Sequence, residues 1–131
     1  GVKLTMFDIS DPINLRILDS VTINEDFCSA AENYKCAFVD TGRGLVGFAT
    51  ETWTKTNYNR YMLFQWDGTS FVKKISLKKT QQKMDTWTGA EQMMGLSSGD
   101  RFYVLHVERD DFSLISYDMK NDFQEIETKK Y

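Results

Sequence analysis

The sequence is poor in the residues from which many catalytic and metal sites are built. Its 131 residues include one histidine, two cysteines and one proline. A structural zinc site needs four Cys, His or acidic ligands, and His106 with two distant cysteines does not supply such a set. Cys28 and Cys36 also lack the CxxC spacing of a redox pair. We favour two free, partly buried thiols over a disulfide, which remains an alternative in an oxidising compartment.

Long apolar runs and blocks of like charge are missing as well. The longest apolar stretches have only a few residues, whereas a membrane-spanning helix needs roughly 20. The net charge of −3 is spread along the chain, so no field steers the protein toward nucleic acid. A hydrophobic share of 41% and a charged share of 27% are ordinary for a soluble globular domain. We therefore expect one domain, no membrane span in this chain and no nucleic-acid partner.

Helical spacing of apolar residues is almost absent, and strand patterns take its place. Short runs rich in β-branched and aromatic residues recur, each bounded by Gly, Asn, Asp or Ser. They predict ten strands, at residues 2–8, 15–23, 34–40, 44–50, 59–66, 71–77, 92–97, 101–107, 112–118 and 123–128.

The connections between these runs fall into two classes. Short turns at residues 41–43, 67–69, 98–100 and 120–122 carry Gly, Asn or Asp and predict tight hairpins. Longer connections at residues 24–33 and 78–91 separate successive groups of hairpins, and we expect a short helical turn near residues 81–84. The strands are therefore antiparallel neighbours.

One pattern occurs three times. A leucine, two variable residues, an aromatic residue and an aspartate end the runs at Asp8, Asp67 and Asp118, which are 59 and 51 residues apart. We expect each aspartate to cap the turn that follows, by accepting hydrogen bonds from backbone N–H groups. A period near 50 residues made of four antiparallel strands is typical of β-propeller blades, which stack because one blade cannot cover both of its own faces.

The predicted fold is therefore all-β, with antiparallel four-stranded β-propeller blades. About two and a half blades fit the chain, which makes it a partial propeller. We expect a hairpin at residues 1–23, one blade at residues 34–77 and a second at residues 92–131.

The opening residues 1–12 (GVKLTMFDISDP), followed by Leu18-Asp19-Ser20, resemble a C-terminal β-propeller family of secreted bacterial and archaeal proteins that are distantly related to WD-type repeats. Residues 34–50 and 61–77 and the final hairpins are similar to further elements of that family. The resemblance implies a secreted or cell-surface anchored bacterial protein, further blades upstream and no catalytic motif. Because domains of this family are several times longer, it also implies that most of the ring lies outside this chain.

Two glycine-containing motifs imitate catalytic loops. Residues 42–47 match GxGxxG, but they continue into a strand, whereas a dinucleotide-binding loop opens a helix. Residues 95–99 match GxSxG, with Asp100 and His106 close behind, yet this segment joins two strands instead of a strand and a helix. We interpret both as hairpin turns, with His106 at a polar strand position or in an inter-blade contact, and we predict no catalytic residue and no enzymatic activity.

Two acidic turns resemble parts of a calcium site. Asp8 with Asp11, and Asp110 with Asp111, each offer two carboxylates, whereas calcium takes six or more oxygens. We interpret them as solvated turn residues and predict no metal and no cofactor.

The candidate binding residues are two tryptophans and two lysines. Trp53 and Trp87 lie in or beside predicted loops, where exposed indoles often contact proteins or sugars. Lys78 and Lys79 belong to a lysine cluster that could bind an anionic cell-surface polymer. Lysines on edge strands also discourage pairing with other chains, and we favour this second interpretation. The cluster comprises Lys73, Lys74, Lys78, Lys79 and Lys83.

The leading functional hypothesis is a non-catalytic extracellular binding or scaffold module, the C-terminal part of a larger secreted protein, with a protein or cell-surface polymer as partner. The alternatives are completion of a catalytic, hydrolase-like propeller whose active residues lie upstream, carbohydrate or cell-wall binding, and a purely structural role. We also expect self-association through open blade edges, because the first hairpin would leave an open edge and an uncovered apolar face.

Overall fold

The computed structural model of the chain describes residues 1–54, 57–80, 91–108 and 111–131. These residues form three antiparallel sheets, as predicted. The first is a hairpin of β1 (Val2–Asp8) and β2 (Arg16–Ile23). The middle sheet contains β3 (Phe27–Cys28), β4 (Phe38–Asp40), β5 (Leu45–Thr52), β6 (Tyr58–Trp66) and β7 (Phe71–Thr80). The third contains β8 (Glu91–Ser98), β9 (Arg101–Glu108), β10 (Asp111–Asp118) and β11 (Gln124–Lys130).

Neighbours in sequence pair in space in every sheet. The third sheet has the order β11-β10-β9-β8, and the middle sheet has the order β3-β5-β6-β7, with β4 also paired to β5. β3 and β4 together make one interrupted edge strand, since Cys28 pairs with Thr50 and Phe38 pairs with Gly47 of the same β5. A helical turn, α1 (Ser29–Glu32), and a 3₁₀ turn at Tyr34–Cys36 leave the sheet between them.

Three details of the predicted strands are wrong. Residues 34–36 form the 3₁₀ turn instead of a strand, because the Asn33 side chain accepts a hydrogen bond from the Lys35 N–H and holds the chain in a turn. β3 lies inside a segment that was predicted to be a connection. β7 extends through Thr80, so Lys78 and Lys79 belong to a strand, whereas the sequence placed them in the connection at residues 78–91. The helical turn predicted near residues 81–84 lies outside the described residues.

The middle sheet separates two hydrophobic cores. On one side, Met62 and Phe64 pack with Ile23 and with the half-buried Val2 and Leu4 of the hairpin. On the other side, Tyr61 and Leu63 pack against the third sheet, whose buried residues in this core are Met93, Phe102, Val104, Ile115, Tyr117 and Phe123. Because successive side chains of a strand point to opposite faces, β6 is buried on both sides. The sheets therefore stack in chain order.

The repeated aspartates cap turns, as predicted. Asp8 accepts a hydrogen bond from the Ser10 N–H at 2.9 Å, Asp67 accepts bonds from the Thr69 and Ser70 N–H groups at 2.8 Å each, and Asp118 accepts one from the Lys120 N–H at 3.0 Å. Each aspartate stands at the end of a strand and fixes the turn to its hairpin partner. The repeat in the sequence is thus a repeat in structure.

These hydrogen bonds should make the turns sensitive to acid. Donation by the Ser70 and Thr69 N–H groups lowers the pKa of Asp67 from 3.8 to about 2, and the Ser10 side chain and N–H lower that of Asp8 to about 2. A carboxyl group with a lower pKa in the folded state stabilises the fold above pH 3.8, and this contribution is lost as the pH falls toward 2. We expect the carboxyl carbon of Asp67 to titrate in NMR near pH 2. A midpoint near 3.8 would contradict the capping role.

The outer face of the first hairpin differs from the expectation of an uncovered apolar face. Away from the turn, its outward side chains are polar: Thr5 and Ser20 share a hydrogen bond of 3.1 Å, next to Lys3 and Thr22. Its exposed apolar residues gather toward and within the turn instead, and they are Phe7, Ile9, Ile13, Leu15, Ile17 and Leu18. Strand alternation causes this, because the apolar Val2, Leu4, Val21 and Ile23 point inward to the middle sheet.

Candidate functional site

The two ends of the stacked sheets carry different connections. The turns β1–β2, β4–β5, β6–β7, β8–β9 and β10–β11 all fall at one end, which we call the tight-turn end. The connections β2–β3, β5–β6, β7–β8 and β9–β10 fall at the other, the long-loop end. Antiparallel order dictates this separation, and it brings the loop after β5 near the segment that leads into β3.

Trp53 lies at the long-loop end and is 56% exposed. Its ring contacts that of Phe27, with centroids 6.1 Å apart. Asp26 fixes the loop, since its carboxylate accepts hydrogen bonds from the Thr54 hydroxyl, from the Trp53 N–H at 2.9 Å and from the Thr54 N–H at 3.1 Å. The Thr54 and Trp53 bonds lower the pKa of Asp26, which is therefore ionised at neutral pH. The exposed indole is displayed on an ordered backbone.

A second aromatic residue at this end, Tyr58, has two cations over its ring. Lys78 Nζ lies 4.2 Å from the ring centroid and Arg60 Cζ lies 5.4 Å from it. Arg60 Nη1 donates to Ser76 Oγ at 2.8 Å, and its Nε lies 3.1 Å from Glu25 Oε1. Glu25 is buried and also accepts a hydrogen bond from the Thr52 hydroxyl. Arg60 is thus neutralised by a carboxylate, whereas Lys78 is exposed where it lies over the Tyr58 ring.

Sequence reasoning missed Tyr58, Arg60 and Glu25. Arg60 directly precedes four consecutive apolar residues, 61–64, as in a strand buried on both faces, so a charge there is the available signal for a buried partner. Glu25 carries no signal of its own, because it lies in a connection that the sequence leaves undefined.

The predicted lysines do not form one patch. Lys78 and Lys79 are consecutive residues of β7 and point to opposite faces of the sheet. Lys74 pairs with Asp122 of the third sheet at 2.8 Å. β7 is an edge strand of the middle sheet, as the edge-protection interpretation requires. Trp87 and Lys83 lie outside the described residues.

The GxGxxG segment forms a hairpin turn, as predicted. Residues 41–44 connect β4 to β5, and Gly44 has a φ of 68°, a left-handed conformation that favours glycine. Asp40 closes the turn by accepting the Arg43 N–H at 3.1 Å. Since a strand follows, no helix N-terminus is available here for a phosphate.

The GxSxG segment is also a turn, between β8 and β9. Ser97 pairs with Phe102, and His106 pairs with Met93, four residues further along the hairpin. At about 3.3 Å per residue, Ser97 and His106 are separated by roughly 13 Å along the strands. His106 is buried on the inward face of β9, with Phe102 and Val104. These residues therefore do not form a nucleophile–base pair.

The candidate metal and thiol residues serve local structure. Asp11 accepts hydrogen bonds from the Ile13 N–H and the Asn14 amide, both at 3.0 Å. Over the ranges that the structure describes, no group of three or more His, Cys, Asp or Glu side chains could hold a metal ion. Both cysteines are free, and burial raises the pKa of Cys28. In the same ranges, no helix has the length and apolar character that a bilayer span requires.

A cleft of about 430 Å³ lies at the tight-turn end, between the middle and third sheets. Its charges are already matched. Lys74 pairs with Asp122, Lys120 pairs with Asp100 at 3.0 Å, and Arg43 Nη2 donates to the Gly99 carbonyl at 2.6 Å. These contacts therefore help to hold the middle and third sheets together. Because Lys74, Lys120 and Arg43 all have partners, none of these three cations is left unpaired for an anionic ligand.

The long-loop end thus holds an ordered exposed tryptophan and a cation–aromatic pair, and the tight-turn end holds a charge-paired clamp. Of the comparisons with known proteins, one with protein-family models agrees with this architecture of stacked antiparallel sheets. None of the curated proteins or solved structures compared with the chain gives a match. The family model described as "Beta propeller domain" matches residues 1–112, which cover the first hairpin, the middle sheet and the third sheet as far as the start of β10. The chain therefore belongs to the beta propeller domain family.

Proposed function

We propose that this chain is a non-catalytic binding or scaffold module that works outside the cell, with its binding surface at the long-loop end. The observation that carries the proposal is Trp53, an exposed indole on a loop whose backbone is fixed by the Asp26 carboxylate. Large aromatic side chains that are exposed and already ordered lose little conformational freedom on binding, and they dominate the energetics of many interfaces.

The partner that fits this surface best is a protein or a cell-surface polymer. Trp53 and Phe27 supply an apolar platform, and Lys78 with Tyr58 supplies an exposed cation on the same end of the molecule. An aromatic platform beside a cation suits ligands that have apolar faces and negative groups. In this proposal the chain is the C-terminal part of a larger secreted propeller, whose upstream blades stack on the outer side of the first hairpin.

The absence of a Ser97–His106 pair supports the non-catalytic assignment, and the turn-capping roles of Asp8 and Asp11 support it further. The alternative, a catalytic propeller with active residues upstream, predicts turnover by the longer protein and no dependence on Trp53. The two functions therefore differ in a measurable way.

Trp53→Ala is expected to weaken binding about tenfold or more, because an interfacial tryptophan commonly contributes more than the 1.4 kcal/mol that tenfold represents. The measurement is co-sedimentation with purified peptidoglycan, teichoic acid and neutral glucans. Phe7→Ala is the matched control, since Phe7 is 50% exposed but lies beside the β1–β2 turn at the opposite end.

Two results would contradict the proposal. Equal loss of binding in both variants, or none in either, would remove the binding surface from the long-loop end. Turnover of chromogenic esters, glycosides or phosphates by this chain above the buffer rate would contradict the non-catalytic assignment, and turnover by the longer protein alone would support the catalytic alternative.

A further inference from the structure

The edge strand of the middle sheet is interrupted between two cysteines. Cys28 is the last residue of β3 and lies opposite Thr50 of β5. The chain then leaves the sheet and returns at Phe38, which lies opposite Gly47. If the pairing of β4 continued back by two residues, Cys36 would lie at the position of β5 next to the one that faces Cys28. The two cysteines therefore mark the points at which the chain leaves the edge and comes back to it.

Hydrogen bonds within the intervening segment bring the two cysteines toward each other. We call this segment, residues 29–35, the edge loop. The Asn33 N–H donates to the carbonyl oxygen of Ser29, the residue after Cys28, at 2.9 Å. The Cys36 N–H donates to the Asn33 carbonyl oxygen, also at 2.9 Å. The cysteines are eight positions apart in sequence, but two hydrogen bonds connect their ends of the loop.

We propose that Cys28 and Cys36 form a disulfide that closes the edge loop when the chain is exposed to a low-molecular-weight disulfide as oxidant. The structure holds both residues as free thiols, which is the reduced state. Disulfides usually join Cα atoms that are about 4 to 7 Å apart. Adjacent positions of one strand are about 3.3 Å apart, and the 3₁₀ turn moves Cys36 off the line of the edge strand, which brings the separation toward that range.

The electrostatics of the thiols agree with this placement. Burial raises the pKa of the Cys28 thiol, and charge on Cys36 raises it further. An electrostatic interaction of this kind requires the two sulfur atoms to lie near each other.

The exposure of the two thiols sets the order of the reaction. Cys36 is partly exposed, whereas Cys28 is buried. The Cys36 thiolate attacks one sulfur of the oxidant, so that a mixed disulfide forms and the first thiolate of the oxidant leaves. The Cys28 thiolate then attacks Cys36 Sγ, and the second thiolate leaves. Two protein thiols are thus oxidised to one disulfide, and the oxidant is reduced to two thiols, which take up the two protons released. Cys28 needs no access to solvent, because the second step is intramolecular.

The bridge would restrain the part of the long-loop end that carries Trp53. β3 pairs with β5 through only two residues. Asp26 and Phe27, which hold the backbone and contact the ring of Trp53, lie at the start of this short strand. A covalent link from Cys28 to the segment before β4 would hold β3 on the sheet. This consequence rests on the proposed binding function, whereas the disulfide itself does not.

The test treats the reduced 131-residue chain with oxidised glutathione, in native buffer and in urea, and then alkylates it for intact mass spectrometry. In native buffer we expect a monomer that has lost two hydrogen atoms and takes up no alkyl group. At a fixed glutathione poise, the ratio of bridged to reduced chain should be about tenfold or more higher in native buffer than in urea, because the fold already holds the thiols together.

Thermal unfolding supplies a second readout. The bridged chain should have a Tm that is higher by about 5 to 10 °C, since the cross-link restricts the unfolded chain. Cys36→Ser is the matched control, because it removes only the partly exposed thiol. Its Tm should be the same with and without the oxidant.

Several end products would overturn the proposal: a chain that keeps glutathione on either cysteine, a disulfide-linked dimer, or a chain that still takes up two alkyl groups. Equal ratios of bridged to reduced chain in native buffer and in urea would overturn it too, because the fold would then contribute nothing to the bridge. None of these results depends on Trp53, so a failure here is separate from a failure of the proposed binding function.

Discussion

Gly95→Ala is expected to destabilise the protein by about 3 kcal/mol, at the upper end for overpacking a core. A β-carbon at Gly95 would lie 2.7 Å from Phe102 Cζ and 2.7 Å from Tyr61 Cζ, and it would collide with the Tyr61 hydroxyl oxygen. The clash lies between the middle and third sheets, where both rings are fully buried and have no room to move. Urea unfolding at constant m-value measures the loss of stability.

Tyr61→Phe provides the control for this prediction. The Tyr61 hydroxyl is buried and has no hydrogen-bond partner in the described part of the chain, so its removal should be neutral or stabilising by about 1 kcal/mol. Gly47 also faces this hydroxyl, but the next contacts of a β-carbon there are 3.0 Å, to Leu63 and to the Tyr61 ring. Tyr61→Phe should therefore rescue Gly47→Ala and leave most of the cost of Gly95→Ala. Equal rescue of both would contradict this packing.

Arg60→Ala is expected to cost about 3 kcal/mol of unfolding free energy, because it leaves the buried Glu25 carboxylate without its cation. Glu25→Gln in the same background should recover part of the loss, since the amide removes the uncompensated charge. Chemical denaturation of the single and double variants measures both effects.

Lys78→Ala is the matched control for Arg60→Ala. Lys78 lies over the same Tyr58 ring but is exposed, so its removal should cost at most about 1 kcal/mol. If the two variants lose the same stability, the Glu25–Arg60 pair does not contribute as a buried ion pair.

The repeat was the most informative part of the sequence. The ends of three strands could be predicted from Asp8, Asp67 and Asp118, because a capping carboxylate accepts hydrogen bonds from backbone groups within a few residues of itself. The hairpin turns at Gly44 and Gly99 could be predicted for the same reason, since their positive φ is a local property. Features that depend on short-range chemistry can thus be predicted from the sequence.

Features that depend on packing between distant segments could not be predicted from the sequence. β3 has two residues, too few for alternation, and it exists because Phe27 and Cys28 pair with the far end of β5. Residues 34–36 alternate in polarity like a strand, yet they form a 3₁₀ turn beside the middle sheet. At the candidate site, Trp53 was found from its place in a loop, whereas Glu25 and Arg60 meet only when the chain has folded.

The burial of β6 on both faces has a consequence for how this sequence can change over evolutionary time. Tyr61, Met62, Leu63 and Phe64 are four consecutive buried residues, so a polar substitution at any of them enters one core or the other. Every residue of β11, in contrast, is exposed. Sequence drift should therefore be slow along β6 and fast along β11. Distant relatives of this chain should be recognised by the central strand of the middle sheet, even after the edge strand of the third sheet has lost all similarity.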